Sequence, residues 1–106
     1  MIEKTLFLNK LLSIYGNILT DKQKDAVELY YNCDMSLGEI ALELGITRQG
    51  VRDTLTRAET ALREAEQKLG FLERTDSIVQ RLKNIESRAS GELKTELANL
   101  INDMED

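Results

Sequence analysis

Residues 36–51 read SLGEIALELGITRQGV, and this stretch limits the fold more than any other. Ser36 with Glu39 three residues later marks a helix start, where hydroxyl and carboxylate each take up an otherwise unpaired first-turn amide. Leu37, Ile40, Ala41 and Leu44 follow at helical spacing. Gly45 ends that helix, because the position after a last turn commonly has a positive φ that suits glycine. Ile46 plugs the turn, and Thr47 caps a second helix. Steeply crossing helices need a small side chain where they touch, and Ala41 supplies it. The second helix buries Val51 and Leu55 and leaves Arg48, Gln49, Arg52, Asp53 and Thr56 on its exposed face. The pattern is a helix-turn-helix, whose second helix enters the major groove in DNA-binding proteins of this class.

The remainder also reads as helix. Proline and tryptophan are absent, and leucine, alanine, glutamate and lysine carry high helix propensity. The second helix of the motif extends over about residues 48–69 with Val51, Leu55, Ala58, Leu62, Ala65 and Leu69 as its seam, and Gly70 stops it with Phe71 beyond. An N-terminal helix over about 2–15 presents Ile2, Leu6, Leu11, Leu12, Ile14 and Tyr15, widened by Phe7 and Leu8. Gly16-Asn17 breaks it, and Thr20 with Gln23 forms a second capping box for a helix carrying Ala26, Val27, Tyr30 and Tyr31. Amphipathic helices over about 76–89 and 92–104 complete an all-α chain. The expected organisation is a helix-turn-helix domain over 1–70 and a C-terminal helical hairpin over 71–106. That hairpin packs on the long helix or on a second subunit as a homodimer, since Leu62, Ala65 and Leu69 need cover.

The net charge of −5 is unevenly spread. Residues 36–63 hold four basic and four acidic groups, whereas residues 64–106 hold six and ten. A dedicated duplex binder carries a basic surplus on its reading element; here that element is neutral. Arg57 and Arg63 each follow an acid by four residues, Asp53 and Glu59, so intrahelical pairing is expected to occupy them. Arg48 and Arg52 are then the available cations.

Histidine is absent and Cys33 is the sole cysteine, so no zinc cluster and no intramolecular disulfide are expected. Cys33 reads as structural. No glycine-rich phosphate loop and no acid–base–nucleophile constellation is visible, which predicts a protein that is not an enzyme and needs no cofactor. Tyr30 and Tyr31 could stack on bases; as packing residues, one belongs in the core and the other against the motif. Glu3, Lys4 and Lys10 interrupt any leader-like or membrane-spanning run, so a cytoplasmic location without membrane association is expected.

Residues 20–63 resemble region 4 of bacterial sigma factors. Leu19-Thr-Asp-Lys-Gln-Lys, Leu29-Tyr-Tyr, Ser36-Leu-Gly-Glu-Ile-Ala and Arg48-Gln-Gly-Val-Arg-Asp together resemble the YlxM family. These are small helix-turn-helix proteins whose genes lie beside those for the signal recognition particle GTPase and often its receptor. The resemblance implies a regulatory or adaptor role in that targeting pathway, through the particle's protein, its receptor or its RNA. The alternative is a DNA-binding transcriptional regulator. In either case the contact residues are expected to be Thr47, Arg48, Gln49, Arg52 and Thr56.

Overall fold

Helices in this protein begin and end where side chains satisfy the backbone. The computed structural model describes residues 2–105. They form α1 (Ile2–Tyr15), one 3-10 turn (Gly16–Ile18), α2 (Asp21–Tyr31), α3 (Leu37–Leu44), α4 (Arg48–Leu69), α5 (Phe71–Arg88) and α6 (Gly91–Glu105), with no strand among the described residues. Both capping boxes form. The Thr20 amide donates to Gln23 Oε1 at 3.0 Å and the Gln23 amide to Thr20 Oγ1 at 3.1 Å. The Ser36 amide donates to Glu39 Oε1 at 2.9 Å and the Glu39 amide to Ser36 Oγ at 3.1 Å. These bonds, the Ser36 amide first, hold the Glu39 carboxyl below its ordinary range. Its contribution is therefore complete above that range and is lost as the pH falls below it, through the lowered value in the folded chain. Ser36→Ala should lower stability by about 1 kcal/mol, read as a drop of about 4–8 °C in the thermal midpoint.

Gly45 closes α3 with φ 67°. Its amide and that of Ile46 both donate to the Ala41 carbonyl, the latter at 3.0 Å. This double closure turns the chain tightly enough for Thr47 to open α4 two residues later.

The chain divides into two units, one ending at Leu69 and the other beginning at Gly70. In the first, α1, α2 and α3 all pack on α4. Leu8, Leu11, Val27, Ile40, Val51 and Leu62 are fully buried there, and Ala41 is buried at the helix crossing. Polar contacts fasten α1 along the second half of α4. Tyr15 donates to Glu66 Oε1 at 2.7 Å, Lys4 pairs with Glu59 at 3.8 Å, and the Arg63 guanidinium lies 5.3 Å from the centre of the Phe7 ring. Tyr31 on α2 also donates to Glu59, and Tyr30 meets Tyr31 edge-on at 4.9 Å.

Burial, then the hydrogen bond to the Glu59 carboxylate, push the Tyr31 phenol well above its ordinary value. A phenol whose folded pKa is raised contributes stability that is complete below about pH 10 and lost as the pH climbs above it. The fall in unfolding free energy above about pH 10 should therefore be smaller in Tyr31→Phe, which lacks the titrating phenol, than in the parent, measured by urea denaturation across a pH series.

Several sequence expectations change. In α1 the inward stripe is Leu8, Leu11, Leu12 and Tyr15, while Ile2, Leu6 and Ile14 are exposed. At ~100° per residue Ile2 and Leu6 lie more than a quarter-turn from that stripe. Leu62 has its cover inside the first unit, where α1 lies along its stretch of α4. Cys33 is exposed in the turn after α2, beside Asp34 at φ 56°, and fills no core position. The helix expected from residue 76 starts at Phe71, because Gly70 at φ 65° is the whole connection to α4.

In the second unit α5 and α6 form a hairpin joined through Ala89 and Ser90. Leu72, Val79 and Ile101 are its buried apolar residues, and Lys83 pairs with Glu105 at 2.8 Å.

Candidate nucleic-acid interface

The tight turn at Gly45 brings the N-terminus of α4 beside that of α3. Between them lies an open cleft of about 390 Å³, lined by Ser36, Leu37, Gly38, Arg48, Gln49 and Arg52. Two helix starts and two guanidinium groups meet there; side chains already cap the Ser36, Glu39 and Gly50 amides, so the arginines carry most of the cleft's preference for anions. Arg48 lies against the α-carbon of Gly38. A Cβ at that position would come 3.0 Å from one guanidinium nitrogen and 3.1 Å from another. Glycine thus lets the cation settle onto the start of α3, and no opposite charge pairs with it among the described residues. That placement suits Arg48 to a ligand phosphate bridging both helix starts.

Of the five residues expected to contact nucleic acid, the cleft collects three: Arg48, Gln49 and Arg52. Thr47 lies at its margin, where its Oγ1 accepts the Gly50 amide at 2.9 Å. The cap uses an oxygen lone pair and leaves the hydroxyl proton to donate. Thr56 lies outside the lining and donates its hydroxyl to the Arg52 carbonyl at 3.0 Å, so it offers acceptor capacity only. Gln49 donates its amide to Asp53 Oδ1 at 2.9 Å. This holds the acid along the helix surface, and reading a base with Gln49 requires breaking that bond.

The intrahelical ion pairs expected for Arg57 and Arg63 do not form. Asp53 takes Gln49, Glu59 takes Tyr31 and Lys4, and Arg63 covers Phe7. Arg57 remains exposed one turn beyond Asp53. Sequence reasoning passed over Ser36, Leu37 and Gly38 as part of the site. The available signal was Gly38 itself, a helix-weakening residue placed where a short turn brings the next helix back.

The whole motif is shared with known proteins. Residues 2–102 match the model of a family, UPF0122, described as "Putative helix-turn-helix protein, YlxM / p13 like". The chain belongs to this family. A UPF0122 protein of Geobacillus kaustophilus is 42% identical over 109 residues, covering 100% of this chain and 98% of the relative. One from Halalkalibacterium halodurans is 43% identical over 96 residues, 87% of this chain and 88% of the relative. One from Thermoanaerobacter sp. strain X514 is 48% identical over 85 residues, 80% and 73% respectively. The family match spans α1 through most of α6, so this UPF0122 chain shares the C-terminal hairpin as well as the motif. None of its described helices is long and apolar enough to cross a membrane, and no described group of three or more Cys, Asp or Glu is placed to hold a metal ion.

Proposed function

We propose that this UPF0122 protein is a non-enzymatic regulatory or adaptor protein of the signal recognition particle pathway, acting in the cytoplasm and gripping the particle's RNA through the α3–α4 cleft. The observation that carries the reading is the convergence of Arg48, Arg52 and two helix N-termini on one open cleft. It supports a phosphate-binding surface made by few cations. The link to the particle rests on the YlxM resemblance.

The balance of charge argues against tight scanning of a duplex, and the choice of the particle's RNA rests on the YlxM resemblance. Two arginines neutralise about two phosphates, whereas a dedicated duplex binder making 6–10 such contacts gains most of its affinity that way. Co-purification of the tagged protein from cells, with bound RNA sequenced alongside bound proteins, tests the proposal. The particle's RNA or protein should be enriched over an untagged control, and enrichment of neither defeats it.

A second reading is a sequence-specific DNA regulator. It is favoured by the exposed start of α4, where Gln49 and Arg52 stand as base-reading side chains do in groove-bound helices. It predicts one preferred sequence in a low-salt gel-shift selection. Weak binding that is blind to sequence would dispose of it.

A further inference from the structure

The α5–α6 hairpin leaves an apolar face open. Ile78 and Ile85 on α5 are 46% and 44% exposed, and Leu93 and Leu100 on α6 are 56% and 47% exposed. Each pair is spaced by seven residues, the repeat of a helix seam packed against another helix. Ile78 precedes Val79 and Leu100 precedes Ile101, and both followers are buried. The open stripe on each helix is therefore rotated in the same sense from its buried stripe. In an antiparallel pair that rotation carries both stripes to the same side of the hairpin. A unit of this length, with Leu72, Val79 and Ile101 its only buried apolar side chains among the described residues, is below the size at which one core suffices, roughly 40 residues.

The charges flanking this face differ between its two edges. Three residues beyond Ile78 and Ile85 come Arg81 and Arg88; three residues beyond Leu93 and Leu100 come Glu96 and Asp103. One edge of the open face is basic and the other acidic, and these four side chains form no ion pair among the described residues.

We propose that this face binds a second copy of the same chain, giving a two-fold antiparallel four-helix bundle. An isologous interface requires a patch that complements itself. Turning one hairpin over about a two-fold axis parallel to its helices lays α5 on α6 of the second copy, basic edge on acidic edge. The equal seven-residue spacings let Arg81 meet Asp103 and Arg88 meet Glu96 of the other copy in one antiparallel register. The alternative two-fold, with α5 on α5, sets arginine against arginine and is disfavoured. The proposal is independent of the function proposed for the cleft.

Sedimentation of the full chain tests it with two charge-reversed proteins. Arg81→Glu with Arg88→Glu makes both edges acidic, and Glu96→Lys with Asp103→Lys makes both basic. The parent should be a dimer. Each reversed protein should self-associate about a hundredfold more weakly, and an equimolar mixture of the two should recover the dimer. Because all four residues are exposed, the helical signal should not change. Ile85→Ala with Leu100→Ala should also weaken the dimer without adding charge. A parent that stays monomeric from micromolar to millimolar concentration overturns the proposal and leaves the face to another occupant. Reversed proteins that remain dimeric alone, or a mixture that stays monomeric, overturn it too.

Discussion

Leu62→Ala should lower the unfolding free energy by about 3 kcal/mol, within the ~2–5 kcal/mol seen when a buried leucine is cut to alanine. Leu62 has no solvent exposure. Its neighbours along α4 are already fixed by other bonds: Glu59 to Tyr31 and Lys4, Arg63 to Phe7, and Glu66 to Tyr15. The site therefore cannot easily collapse into the space left behind, which places the cost above the low end of the range. For a domain with about 5–15 kcal/mol of total stability this is a large fraction. Urea denaturation followed by circular dichroism should show the midpoint falling with little change in slope. Leu69→Ala is the control. Leu69 lies two turns further along the same seam but is 49% exposed, so its loss should cost well under 1 kcal/mol.

The second large effect concerns the cleft. Arg48→Ala combined with Arg52→Ala should reduce affinity for RNA at low salt by about tenfold or more and remove most of its salt dependence. Two phosphate contacts give a log–log slope of about −1.4 to −1.8, or roughly a tenfold loss between 50 and 200 mM salt. The double variant should be nearly flat over that interval. Both side chains are exposed and no fold contact depends on their charge, so stability should hold. A slope that survives in the double variant would place the binding surface elsewhere, with Arg57 and the lysines of α2 as the next residues to change.

The helix-turn-helix was legible because its signals are local. Ser36 with Glu39, Gly45 and Thr47 each act within one turn of chain, and every one does in the structure what its position suggested. The open stripes of the hairpin are visible as seven-residue spacings. What the sequence hid depends on distances between elements. The Arg57–Asp53 and Arg63–Glu59 pairs follow from spacing along one helix, yet tertiary partners took most of these groups. Tyr31 reaches Glu59 from 28 residues away, which no local pattern encodes. Arg48 was recognised as a cation, but its seat on Gly38 arises only when the turn closes. The start of α5 is not legible because Gly70 reads as a stop, while one residue at positive φ can end one helix and begin the next without a loop. The inward face of α1 is not legible because apolar residues nearly surround the helix, and packing on α4 selects Leu8 over Ile2 and Leu6.

The geometry of α4 ties recognition to stability. One uninterrupted helix of 22 residues carries Arg48 and Arg52 at its exposed start and Leu62 in the core. The start of α4 cannot unfold independently without also freeing Val51 and Leu55, which are buried against the rest of the first unit. A ligand held in the cleft is thus held only by the folded chain, and binding must raise the melting temperature by mass action. At a free concentration of about 100 times the dissociation constant the gain is roughly 2.7 kcal/mol. A thermal-shift screen of RNA fragments, repeated on the Arg48→Ala and Arg52→Ala double variant, therefore tests whether the proposed ligand sits in the cleft.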